Sequence, residues 1–225
     1  MDRPAPQPLP RGRHRLTREQ VSASQRGRLL LGMAAVVADK GYARTSVADV
    51  LARVHVSRDT FYQQFSGKEE CFLAALDQSA ELLAGVIDGG LAEVRGTPWE
   101  TFEQGLAVYL GRLASRPEQT RVFFIESLAA GRAAQRRRFA VQRRYAAAVA
   151  EHFADDPAWR TLPDPGFAAR ALVASISALV TAAIAENRIT DLPELHTPLV
   201  ALLRHLAGGG RLCRDLEARV AETAD

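Results

Sequence analysis

The sequence predicts an all-α fold, and three observations carry that expectation. Apolar residues recur at i, i+3 and i+4 in one segment after another, and no run alternates apolar and polar residues as a half-buried strand does. Capping serines, stopping glycines and prolines punctuate the chain at helix-length intervals. Apolar residues make up 47% of the 225, enough to bury a core.

Residues 1–20 read as a basic arm, rich in Pro and Arg and expected to be disordered. A first long helix is expected from about Ser22 to Lys40, with Leu30, Met33, Ala34 and Val37 on one face and Gly41 as its stop. Ser46 can cap a second helix in a capping box with Asp49, and Val47, Val50, Leu51 and Val54 form its inner face. His55 falls where a tight turn wants a positive φ, which histidine tolerates better than most side chains. Ser57 can cap a third helix, and Ser66 with Glu69 can open a fourth that runs to about Leu83 or beyond. Further helices are expected near 99–115, 118–129, 132–154, 166–187 and 194–207. "GGG" at 208–210 ends the last of them, and a short terminal helix is possible over 211–221. The expected total is nine to ten helices.

Charge is distributed unevenly. Residues 1–70 hold 12 Lys/Arg against 7 Asp/Glu, whereas residues 71–225 hold 17 against 19. A basic front joined to a near-neutral remainder suits a polyanion-binding module fused to something else. Within the third helix, Phe61 and Phe65 lie four residues apart and belong to the core. The opposite arc carries Asp59, Thr60, Tyr62 and Gln63. It is short and polar, which suits the DNA major groove. Gln63 can pair bidentately with adenine, and Asp59 can accept from cytosine N4. Tyr62, Gln64 and Lys68 are candidate phosphate contacts, and Arg11, Arg13 and Arg15 can follow the backbone or enter the minor groove. Two helices joined by a short turn also occur in domains that never meet DNA.

The stretch "GYARTSVADVLARVHVSRDTFYQQFSGKEECFLAAL" resembles the N-terminal signature of the TetR family of transcriptional regulators. The matching positions are Gly41-Tyr42, Thr45-Ser46-Val47, Ala48-Asp49-Val50, Val56-Ser57, Thr60-Phe61-Tyr62, Phe65 and Lys68-Glu69. The resemblance implies a TetR-like fold of nine to ten helices in a homodimer. An N-terminal three-helix helix-turn-helix domain (21–68) would bind double-stranded DNA at a palindromic operator. A C-terminal domain (69–208) would bind a small-molecule effector and form the dimer, leaving a tail at 209–225. It transfers DNA contact to Thr45, Ser46, Arg58, Asp59, Thr60, Tyr62, Gln63, Gln64 and Lys68, beside Arg13 and Arg15 of the arm. Two positions depart from the family pattern: His55 stands where glycine is usual, and Asp59 puts a negative charge on the reading face.

Beyond residue 75 the resemblance is one of architecture. Small residues in "GFAARALVASISALVTAAIAENRI" let helices approach closely, and with "LPELHTPLVALLRHLAG" they match the family's dimer-forming helices. Leu172, Ser175, Leu179, Ala182, Ala183, Leu199 and Leu203 are the expected interface, packing inside one subunit being the alternative. Trp99, Phe102, Tyr109, Phe123, Phe124 and Tyr145 are candidates to line a ligand cavity, or plain core. Glu126, an acid among apolar neighbours, can meet a cationic ligand or an arginine of the basic segment 132–144. That segment (Arg132, Arg136, Arg137, Arg138, Arg143, Arg144) reads first as a solvated surface, and otherwise as a second nucleic-acid patch or the mouth of an anionic-ligand site.

No enzyme is expected. The five histidines form no H-x-x-x-H pair and no metal-spaced Cys/His cluster, and no nucleophile elbow or phosphate-cradling loop occurs. No cofactor or metal is implied. Cys71 reads as a structural thiol, with redox sensing a minor option. Two cysteines and an N-terminus without an apolar leader suggest the cytoplasm. The longest charge-free run, residues 171–185, is 15 residues, short of the roughly 20 that span a bilayer, so no membrane partner is expected. The expected function is a ligand-responsive repressor. An activator or co-repressor-dependent regulator, and a helical binding protein that has lost its DNA contacts, are the alternatives.

Overall fold

A computed structural model describes residues 17–84 and 96–205, and every element in them is helical. Residues 1–16 of the basic arm, the 211–221 segment and Cys213 lie outside the described residues, while residues 17–20, expected in the disordered arm, cap and begin the first helix. The helices are α1 (Arg18–Lys40), α2 (Val47–Val54), α3 (Arg58–Gln64), α4 (Lys68–Ala84), α5 (Pro98–Ser115) and α6 (Pro117–Arg121). A π segment (Val122–Glu126) then leads into α7 (Ser127–Ala129). After it come α8 (Arg132–His152), α9 (Pro157–Arg160), α10 (Pro165–Ala185) and a 3₁₀ stretch (Ile189–Leu195). The last, α11, covers residues 196–205.

Local chemistry sets most of these boundaries. Thr17, Ser46 and Thr97 each cap a helix in a capping box, with Gln20, Asp49 and Glu100 as reciprocal partners. Asp156 and Asp164 cap α9 and α10, each with proline at the helix start. Gly41 ends α1 at φ 81°, and His55 ends α2 in the left-handed region at φ 52° and ψ 50°. At the start of α4 the reciprocal acid is Glu70, not the expected Glu69. The Glu70 carboxylate accepts from both the backbone and the hydroxyl of Ser66.

One apolar core runs through the described residues. It joins Leu29, Met33, Phe61, Phe65 and Phe72 of the N-terminal helices to Leu110, Phe123, Phe124, Ile184 and Leu192 of the C-terminal ones. Gly32 permits the closest approach in the head. A Cβ there would lie 2.2 Å from Val54 Cγ1, so α2 packs on bare α1 backbone. A satellite cluster gathers on Phe153, which stacks on Trp159 at 4.8 Å and also meets Trp99 and Phe102.

Two expectations need correction here. The segment near 118–129 is one rod with a π turn inside it, a register no apolar period announces. The 194–207 helix begins as a 3₁₀ stretch at Ile189, with Pro193 inside. By length and composition alone α10, 21 residues long, could cross a bilayer. It packs instead along α8 and the 3₁₀ stretch.

Candidate nucleic-acid interface and ligand cavity

The turn between α2 and α3 aims the third helix outward. Phe61 and Phe65 are buried, Phe61 fully, and fix the inner face of α3. Arg26 of α1 lies over the Phe65 ring at 4.5 Å, and Arg28 donates to the Val54 carbonyl at the end of α2. Ser57 caps α3, and its hydroxyl shares a hydrogen bond of 2.8 Å with Thr60. Arg58, Asp59, Tyr62 and Gln63 are exposed, Tyr62 at 46%. Arg58 lies 5.6 Å from the centroid of the Tyr62 ring. The outer arc of α3 is thus polar, aromatic and open.

Other residues expected at DNA also make contacts within the protein. Thr45 is 3% exposed and its hydroxyl donates to the Gly41 carbonyl, so it braces the turn. Ser46 spends its hydroxyl on the capping box with Asp49. The Gln64 amide donates to Ser22 at 2.7 Å, tying α3 back to α1. The Lys68 ammonium donates to the Tyr42 carbonyl at 3.1 Å and sits 4.2 Å from the centre of the Tyr42 ring. Arg13 and Arg15 lie outside the described residues.

Tyr42 is gripped from the other side as well. Its backbone N–H donates to Glu126 Oε2 at 2.8 Å. Glu126 therefore meets neither a ligand cavity nor an arginine of α8. It closes a link from the π segment, through Tyr42, to Lys68 at the start of α4. Next to it, α1 and α4 pack against α6 and the π segment.

The other face of the π segment borders a cavity of about 210 Å³. Phe102, Tyr109, Phe123, Phe124 and Tyr145 line it, together with Leu106, Val173 and Ile176. Trp99 stands away from it, in the satellite cluster. Sequence reasoning misses Gln142, His152 and Ser177, three polar residues in the lining. His152 is tied to the Pro98 carbonyl at 2.8 Å. Burial pushes the Tyr109 hydroxyl well above the usual tyrosine range, so it stays protonated.

Arg138, expected on a solvated face, is instead 5% exposed. It donates to the carbonyls of Phe123 and Phe124, at 2.9 and 2.6 Å, and to Ser177 Oγ at 2.9 Å. Of its basic neighbours, Arg137 pairs with Asp77. The expected dimer residues also divide. Leu172, Ala183 and Leu199 are buried in the subunit's own core at 7%, 3% and 4%, while Ser175, Leu179 and Ala182 are exposed. Ala174, Ala178 and Leu202 are further exposed apolar residues that the sequence pattern does not single out. Cys71 is fully buried, and burial pushes its thiol up to about 12, which leaves it unreactive near neutral pH.

The family model for bacterial regulatory proteins of the tetR family matches residues 30–75, the span that builds this head. The head is thus similar to the N-terminal part of the tetR family. Over 74 residues it is 35% identical to the HTH-type transcriptional activator FasR of Mycolicibacterium smegmatis, a match covering 32% of each chain. The matched stretch thus spans about a third of that relative's length. Similarity of fold to solved proteins extends over most of the chain. The fatty acid degradation regulator FadR from Bacillus halodurans superposes with a TM-score of 0.71 at 17% identity, covering 82% of this chain and 95% of its own. FadR from Bacillus subtilis, solved in complex with stearoyl-CoA, gives a TM-score of 0.68 at 15% identity, covering 81% and 97%.

Proposed function

We propose that this protein is a cytoplasmic, homodimeric transcriptional regulator of the TetR family that binds a palindromic operator and answers to a small molecule with an apolar chain. The observation that carries the reading is the physical link between its two halves. One π segment forms a wall of the cavity with Phe123 and Phe124 and holds the head's Tyr42 with Glu126. Arg58, Asp59, Tyr62 and Gln63 on the open arc of α3 are the proposed base and phosphate contacts. The exposed small-residue face of α10, from Ala174 to Ala182, is the proposed dimer contact. A two-fold dimer would set two reading helices roughly 34–36 Å apart. An aromatic and aliphatic cavity suits an acyl chain, and the stearoyl-CoA bound by the Bacillus subtilis neighbour supports the same choice.

Effector control requires that the ligand bind more tightly to a subunit arrangement that no longer fits the operator. Repression is the preferred reading. Activation is the second, favoured by the activator among the relatives. Selection of genomic fragments by the purified protein, followed by sequencing, is expected to recover an inverted repeat. Recovery of no preferred sequence would sink the regulator reading and leave a helical binding protein. Deleting the gene then separates the two regulators: target expression rises for a repressor and falls for an activator.

A further inference from the structure

Arg138 is a buried cation without a buried anion. Its guanidinium meets two backbone carbonyls and one hydroxyl, and its Nε has no hydrogen-bond partner. The rings of Phe123 and Phe124 lie 5.7 and 5.3 Å from it. No carboxylate of the described residues pairs with it, and none lines the cavity. A charge taken out of water and left unpaired carries a penalty of several kcal/mol, so such sites are commonly completed by a counter-charge.

The cavity supplies the place for one. Ser177 Oγ, in its lining, accepts from Arg138 at 2.9 Å and from Gln142 Nε2 at 2.8 Å. With its acceptor side taken by two N–H donors, the Ser177 hydroxyl turns its own proton elsewhere. Gln142 keeps a second amide N–H, and Tyr109 lines the same cavity with a hydroxyl that stays protonated. Apart from His152 and Tyr145 the rest of the lining is apolar, so these donors share a largely apolar cavity, with Ser177 one hydrogen bond in front of a buried guanidinium.

We propose that this Ser177–Gln142–Tyr109 corner, charged from behind by Arg138, binds the carboxylate of an amphipathic effector whose apolar chain fills the rest of the cavity. The proposal rests on the reading of the cavity as the effector site and names the chemical class of ligand it takes. It reverses the cationic ligand that Glu126 suggests in the sequence, because Glu126 serves Tyr42 instead.

Three probes of equal chain length, dodecanoate, methyl dodecanoate and dodecylamine, would be titrated calorimetrically into the full-length dimer at neutral pH. Dodecanoate is expected to bind at least about tenfold more tightly than either of the others, the factor for a hydrogen bond to a charged group. Gln142→Leu should erase that preference while leaving ester binding in place, a split that general damage to the fold would not produce. Equal binding of acid and ester to the unaltered protein would overturn the anion site and leave the cavity reading standing. Failure of all three probes would overturn both.

Discussion

Single residues divide the head into groups left exposed on α3 and groups that hold the head together. Gln63 is exposed on the open arc of α3, whereas Lys68 is committed to the Tyr42 carbonyl and ring. Gln63→Ala is therefore expected to weaken operator binding by about 1–3 kcal/mol and to relax one base position. Lys68→Ala should instead lower the melting temperature, with a similar loss on operator and random DNA. Binding titrations on both DNAs, with thermal melts, test the assignment. An equal loss on both DNAs for Gln63→Ala would move that residue to the phosphate class. His55 gives a second residue-scale prediction. Its left-handed backbone strains a Cβ-bearing residue by about 1–2 kcal/mol, partly offset in glycine by about 0.5–1 kcal/mol of extra chain entropy. His55→Gly should raise the urea midpoint slightly, by a net effect below about 1 kcal/mol. A lower midpoint would show that the imidazole makes a favourable contact.

At the scale of elements, the close crossing of α1 and α2 is the most exacting contact of the head. An alanine normally favours a helix interior over glycine by about 1 kcal/mol. At Gly32 the new methyl meets Val54 Cγ1 at 2.2 Å, and valine has little rotamer freedom with which to yield. Gly32→Ala should therefore destabilise by about 1–3 kcal/mol, the usual range for overpacking. Val54→Ala in the same chain should recover most of that loss, and a double-mutant cycle in urea would read it. The elements also show what a sequence discloses. Caps at Ser46 and Ser57 act over three residues, so local sequence places those helix starts, whereas the capping box of Thr17 with Gln20 goes unread and starts α1 at Arg18, ahead of the expected Ser22. The π segment is not legible in that way, because its apolar residues VFFI fit an α-helix equally well. Gln64 and Arg138 look like surface groups in the sequence. Only the packing of distant segments reveals their partners, such as Ser22 for Gln64, 42 positions away.

For the whole molecule the issue is how a cavity in the C-terminal helices can move a reading head. The continuous core already welds the two halves, so a rigid shift of one drags the other. Glu126 adds a directional link, joined to Tyr42 across 84 positions of sequence. Glu126→Gln keeps the size and the acceptor oxygen but removes the charge, and Glu126→Ala removes the link. For Glu126→Ala, effector affinity measured without DNA is expected to stay within about threefold of the parent, since the residue is outside the cavity lining. The effector-induced change in operator affinity should shrink by about 0.5–2 kcal/mol, with Glu126→Gln intermediate. Unchanged coupling in Glu126→Ala would assign the transmission to the welded core alone. The cavity aromatics are foreseeable as a class, since five of the six named from sequence do line it. Its polar corner is not, because Gln142 and Ser177 come from different helices and acquire meaning only beside a buried Arg138.

The π turn also sets where this chain can lose a residue. An α-helix turns about 100° and rises about 1.5 Å per residue, and a π turn accommodates one residue more than its α equivalent. Removing a single residue from Val122–Glu126 would let the rod relax to unbroken α geometry. The flanking turns would keep their facing, because the π turn absorbs just that residue, and the change would fall on the spacing between Phe123 and Glu126. Phe123 and Glu126 could then no longer face the cavity and Tyr42 together. Length changes are usually tolerated in surface turns such as 161–164, between α9 and α10. In the middle of this buried helix, by contrast, a one-codon deletion would be expected to leave a folded protein that still binds DNA and has become deaf to its ligand.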